Sequence, residues 1–276
     1  MTPSRWQIHS QHTASFRSVA PVLWLLTGAA VAAWAYFSMA SPERVRHFLV
    51  LHQGLETLSI VVSALVFAVG WKAHSINPQR NVLILACGFL GVALLDFSHM
   101  LSYAGMPDYV TANSVAKGIN FWLPARYLVA VSLLWALGLH WHAPGDSASA
   151  GPGRFAVLAL VLGVVGAVHV LIFWYPHWYP ETYGSTGLTP FKIAAEYGVI
   201  ALYAASLALL LRLARERTSF DVARLFAAVW AMALSEFFFT FYVTATDPFN
   251  LLGHVYKVVG YYYLYRAIFV GTIEAP

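Results

Sequence analysis

The chain has a single cysteine, Cys87, in 276 residues. That excludes an internal disulfide and any CxxC redox or metal pair. Charge is almost as scarce: Asp, Glu, Lys and Arg make up 10% of the residues, against about 25% in an ordinary soluble domain. There is no phosphate-binding glycine loop, no G-x-S-x-G elbow and no H-E-x-x-H helix, so the common nucleotide-binding and hydrolytic chemistries lack their signatures. The net charge of +4 comes without a basic stripe interleaved with aromatics, and no nucleic-acid partner is expected. No internal repeat is visible, which removes the usual sequence mark of a secondary transporter. The first apolar run follows a polar segment without a cleavage motif and reads as a retained anchor.

What fills the chain instead is apolar surface: 59% of residues are hydrophobic and 16% aromatic. The apolar stretches are continuous rather than alternating, which excludes a closed β-barrel. Eight of them approach the roughly 20 residues needed to cross a bilayer, at about 19–40, 48–71, 81–103, 118–140, 155–175, 190–212, 222–245 and 250–270. The expected fold is all-α, a polytopic transmembrane bundle over residues 19–270. Residues 1–18 are read as a cytoplasmic N-terminal segment and 271–276 as the start of a linker. The stretch HWHAPGDSASAGPGR between the fourth and fifth spans is read as a flexible surface loop.

Lys and Arg give the orientation. With a cytoplasmic N-terminus, ten basic residues lie at the inner surface and only Arg44, Arg46 and Lys117 in outer connections. Both termini are therefore expected to face the cytoplasm.

Seven charges remain within spans: Glu56, Asp96, Arg126, Lys192, Glu196, Glu236 and Lys257. Each costs roughly 2.5–3.5 kcal/mol to insert at mid-membrane, so such groups face a protein interior or an aqueous cavity. Under this topology all seven fall in the outer half of the bilayer. His52, His99, His169 and His254 fall at the same depth. Helical spacing sorts them into rows: His52 with Glu56, Asp96 with His99 and Tyr103, Lys192 with Glu196, and His254 with Lys257 and Tyr261. Six helices thus turn polar stripes toward one layer. That pattern points to a polar pocket opening outward. Lys192–Glu196 and Glu236–Lys257 are equally readable as ion pairs that only fix packing.

Neutral imidazole and carboxylate suit transition metals such as copper, zinc, iron or nickel. His52, Glu56, His99 and His254 form the candidate ligand set, with Met100 and Met106 as nearby soft donors for copper. Glu56, Asp96, Tyr103, Arg126, Lys192, Glu196, Glu236 and Lys257 form the candidate surround or a site for a small polar ligand. A haem held by one or two of the four histidines, or a quinone, is the redox alternative, and transport of a solute is another. Nothing in the chain itself reads as catalytic.

The stretches LHQGLETLSI, LDFSHMLSYAGMPDY, INFWLPARYL, LSEFFFTFYV and NLLGHVYKVVGYYYLYRAIF together resemble the third class of bacterial membrane-associated sensor domains, the MASE type. The resemblance covers roughly residues 20–270, with His52, Glu56, Asp96, His99, Tyr103, Arg126, Glu236, His254 and Lys257 among the matching positions. It implies a multi-pass input module of the bacterial inner membrane, its pocket open to the periplasmic side, joined to a cytoplasmic diguanylate cyclase, phosphodiesterase or histidine kinase and working as a homodimer. The chain ends at GTIEAP, just past the eighth span, where the resemblance implies that such an output domain would continue. Signals would then pass through the last helix.

Overall fold

The computed structural model describes residues 8–40, 44–139, 153–218 and 220–269. The expected linker 271–276, most of the 140–154 loop and the first seven residues lie outside them. Among the described residues are eight α-helices: α1 Ser10–Met39, α2 Phe48–Ile76, α3 Arg80–Leu101, α4 Val115–Gly138, α5 Arg154–Trp174, α6 Pro190–Leu213, α7 Val222–Phe239 and α8 Pro248–Phe269. A two-stranded hairpin (Tyr183–Gly184 with Gly187–Leu188) precedes α6. The all-α bundle is as expected.

Helix starts carry their own signals. Ser114, Thr189 and Asp221 each accept a hydrogen bond from the backbone N–H three residues on, at α4, α6 and α7. Pro190 and Pro248 open α6 and α8 where a missing N–H costs nothing. Helix α7 stops at Phe239, short of the expected 245. The reason is Asp247, whose carboxylate accepts from Val243 N–H at 2.7 Å, Thr244 N–H at 3.2 Å and Asn250 N–H at 3.1 Å. One side chain closes the turn and caps the next helix. Helix α1 starts earlier than the expected span because its first turns are anchored. His9 N–H donates to Ala214 O at 2.9 Å, and Ser15 Oγ–H lies 2.8 Å from Asp221 Oδ1.

Six helices close into a ring, each packed on the next in the order α2, α3, α4, α6, α7, α8 and back to α2. Helix α1 lies outside against α7, and α5 outside against α3 and α4. Glycine sets the closest approach in this ring. A Cβ on Gly260 of α8 would meet Met232 Cγ at 2.6 Å and Ala228 O at 3.1 Å on α7. Toward one end the interior is apolar, filled by Phe89, Val129, Leu133, Met232 and Leu264. Toward the other it is polar.

Large apolar side chains cover the outside, among them Trp24, Leu25, Val50, Leu58, Leu160 and Trp178. A surface this apolar and this extensive fits lipid rather than water. Seven of the helices, α1 to α7, are long and apolar enough to cross a membrane. Helix α8 has the length, with 22 residues, but its tyrosine run and the polar groups it turns into the ring dilute its hydropathy.

Candidate metal centre

Four side chains from three helices meet inside the ring, near the end where residues 44–47, 102–114 and 240–247 connect the helices. His52 and Glu56 come from α2, one turn apart. His99 comes from the last turn of α3, and His254 from the second turn of α8. None exceeds 4% exposure. One ligand atom from each lies within 4.8 Å of all the others.

The atom-level geometry is more specific. His52 Nε2 lies 3.2 Å from His99 Nε2, His254 Nε2 lies 3.1 Å from Glu56 Oε1, and His99 Nε2 lies 3.9 Å from the same oxygen. A tetrahedral ion with bonds of about 2.0–2.1 Å holds its ligand atoms about 3.3 Å apart. The observed separations bracket that value.

Two rings are oriented by backbone carbonyls. His99 Nδ1–H donates to Gly118 O at 2.7 Å, and His254 Nδ1–H donates to Asn250 O at 2.7 Å. A neutral ring pinned in this way turns the Nε2 lone pair inward. This is the outer-shell arrangement that metal-ligating histidines use. His52 has no such carbonyl: its Nε2 is hydrogen-bonded with His99 Nε2 at 3.2 Å, and its ring lies 4.1 Å from that of Tyr103 and 5.8 Å from that of Phe48, centroid to centroid. Its Nδ1 and the Nε2 of His254 are buried without a hydrogen-bond partner. Tyr103, just past the end of α3, donates to Ala245 O at 2.5 Å. Burial pushes its phenol above the ordinary range, which keeps it a donor.

Beneath the cluster runs a ladder of charge. Lys257 Nζ donates to Glu56 Oε1 at 2.6 Å and Oε2 at 2.7 Å, and lies 3.3 Å from Asp96 Oδ2. Asp96 in turn accepts from Arg126 Nη2 at 2.6 and 2.7 Å, while Arg126 Nη1 donates to Tyr261 Oη at 2.7 Å. The expected rows therefore meet, with one correction. Lys257 pairs with Glu56 and Asp96, not with Glu236, because α8 packs on α2 across the face that carries Lys257.

Lys192 and Glu196 form their ion pair on α6, and Lys192 Nζ also donates to Phe239 O at 2.7 Å and sits 4.2 Å over the Tyr242 ring. Glu236 joins no ion pair among the described residues, and its Oε2 is buried without a partner. Its charged neighbours are Arg126, Lys192, Lys257 and Asp96. His169, expected at the same depth, stands apart. It bonds Ser98 Oγ at 2.7 Å on the face of α3 that meets α5. Met100 Sδ faces Thr57 Oγ1 at 3.7 Å, away from the four ligand atoms.

Sequence reasoning missed the two carbonyls that set the histidine tautomers, since any residue supplies a carbonyl. It also missed Tyr203, seven residues or two turns past Glu196 on the same stripe, whose hydroxyl is buried without a partner. Its spacing from Glu196 was the available signal. A narrow cavity adjoins the cluster, lined by His99, His254, Tyr103, Trp122, Tyr242 and Asn250 among others. It has room for an ion or a water but not for a drug-sized molecule.

No curated protein and no solved structure matches the chain. A family model does: that of the membrane-associated sensor domain MASE3, over residues 43–276. The match takes in seven of the eight helices, α2 to α8, and all four residues of the cluster. With an apolar exterior, membrane-length helices and this match over most of its length, the chain belongs to the MASE3 family of membrane-associated sensor domains.

Proposed function

We propose that the sensory role of this domain is carried by a transition-metal ion bound to His52, Glu56, His99 and His254. The observation that supports this reading is the gathering of His99 Nε2 and His254 Nε2 within 3.9 and 3.1 Å of Glu56 Oε1, with each ring pinned by a carbonyl on Nδ1. A cation among these atoms would give the buried His254 Nε2 the partner it lacks. Three imidazoles and one carboxylate suit zinc and also accept copper or iron. The narrow cavity favours an ion over a larger polar ligand, and it weighs against haem.

The remaining features of the reading rest on the Lys/Arg distribution and on family likeness. The cluster lies toward the periplasmic side of a bacterial inner membrane, and the ion enters from there. Helix α8 carries both His254 and Lys257, so a change at the centre is felt along it toward its C-terminal end. A cytoplasmic cyclase, phosphodiesterase or histidine kinase output and a homodimeric assembly complete the pathway. Catalysis belongs to that output and not to these helices. An ion shifts such an equilibrium only through its differential affinity for two states.

Elemental analysis of the purified protein beside His99→Ala and Glu56→Ala tests the centre. The expected result is one ion per chain in the parent and none in either variant. A visible spectrum with a Soret band would replace the ion by haem. Absence of any bound metal after reconstitution with zinc, copper and iron would end the proposal.

A further inference from the structure

Glu56 Oε1 has two claimants. It faces His254 Nε2 at 3.1 Å and His99 Nε2 at 3.9 Å, where an ion would sit, and it also accepts from Lys257 Nζ at 2.6 Å. The ammonium spans the carboxylate, reaching the second oxygen at 2.7 Å. An ion on Oε1 would therefore meet a positive charge at close range in a region of low dielectric, where like charges repel strongly.

Lys257 has somewhere else to go. Asp96 Oδ2 is 3.3 Å from Nζ, and Asp96 is held in place by both of its contacts to Arg126 Nη2. The transfer from Glu56 to Asp96 is a change of side-chain rotamer on a flexible four-carbon stem, with no need for a helix to unfold. The two acceptors sit on different helices, α2 and α3, and Lys257 follows His254 by less than one turn on α8.

Building on the metal-centre reading, we infer that Lys257 is an internal competitor of the ion. It holds Glu56 in the metal-free state and is displaced onto Asp96 when the ion binds. Lys257 is thus a specificity-determining residue. It rejects singly charged ions, which cannot offset the lost Lys257–Glu56 contact, and admits those of higher charge. It also links occupancy to α8, because the same helix donates a ligand to the ion and withdraws its ammonium.

The test compares Zn2+ affinity in the full chain and in Lys257→Met, with Co2+ absorption as a second readout of the ligand set. A residue that merely positioned Glu56 would, on removal, weaken metal binding by about 10–100-fold. Competition predicts the opposite sign, a gain of about tenfold or more, within the usual range of coupling between two ligands. Lys257→Gln, which keeps a hydrogen-bond donor without the charge, gives the same test should the Met variant fail to fold. Lys257→Arg, which keeps the charge, is expected to show no gain.

If the parent binds Zn2+ and the two neutral variants bind it no more tightly, the competition is overturned and the metal centre stands. If neither the parent nor any variant binds Zn2+, Co2+, copper or iron, the metal centre itself falls. Binding by the neutral variants alone would be competition in its strongest form.

Discussion

His254 Nε2 and Glu56 Oε1 stand 3.1 Å apart inside the ring, while the other nitrogen of the same imidazole, Nδ1, is engaged on Asn250 O at 2.7 Å. His254 Nε2 is buried without a hydrogen-bond partner, and buried polar atoms are seldom left so. His254→Ala and His99→Ala are each expected to abolish stoichiometric metal. His169→Ala is expected to retain it, since that ring is committed to Ser98. Metal content of the three purified variants checks this directly, and loss of metal in His169→Ala would contradict it.

Removing Glu56 should cost fold stability apart from any metal. Glu56→Ala leaves the Lys257 ammonium, 1% exposed, with only the longer contact to Asp96. Breaking one side of a buried pair costs about 3–5 kcal/mol. Denaturant titration of metal-free protein is expected to show a loss of that order. The Glu56→Ala, Lys257→Met double variant should recover part of it, because no orphaned charge remains.

The α7–α8 contact predicts a contrast between glycines. Gly260→Ala drives a methyl against Met232 Cγ at 2.6 Å and the Ala228 carbonyl at 3.1 Å, and a backbone neighbour does not swing aside. Overpacking of this kind costs about 1–3 kcal/mol. Gly163→Ala on α5 meets nothing within 4 Å and should be neutral or stabilising, since Ala is the better helix former. Thermal melting of both variants separates the cases.

Orientation is testable with thiols. Asp108 and Glu216 are exposed in connections that follow α3 and α6. In intact cells a membrane-impermeant maleimide is expected to label Asp108→Cys and to spare Glu216→Cys until the membrane is opened. Cys87, fully buried, gives no background. The reverse labelling pattern would invert the proposed side of ion entry.

Much of this site was legible because helical spacing is a strong constraint. The pairs His52–Glu56, Asp96–His99 and His254–Lys257 fall on single faces, and the six helices with polar stripes are the six that form the ring. Depth along each span placed their groups in one layer. What spacing leaves open is which stripe meets which. Lys257 is equally placed for Glu56 or Glu236 until α8 is seen against α2, and His169 shares the depth of the cluster while facing α5. Span ends were misjudged where a side chain overrode hydropathy, as Asp247 does in ending the turn after α7.

The contact between α2 and α8 joins the first stave of the ring to the last. In an open row of helices, the final one could tilt alone and leave the others at rest. In a hoop it cannot: a displaced stave must be accommodated by its neighbours, and the strain is passed around the circumference. The girth of the hoop is therefore a property of all six staves together, and α1 lies outside it against α7.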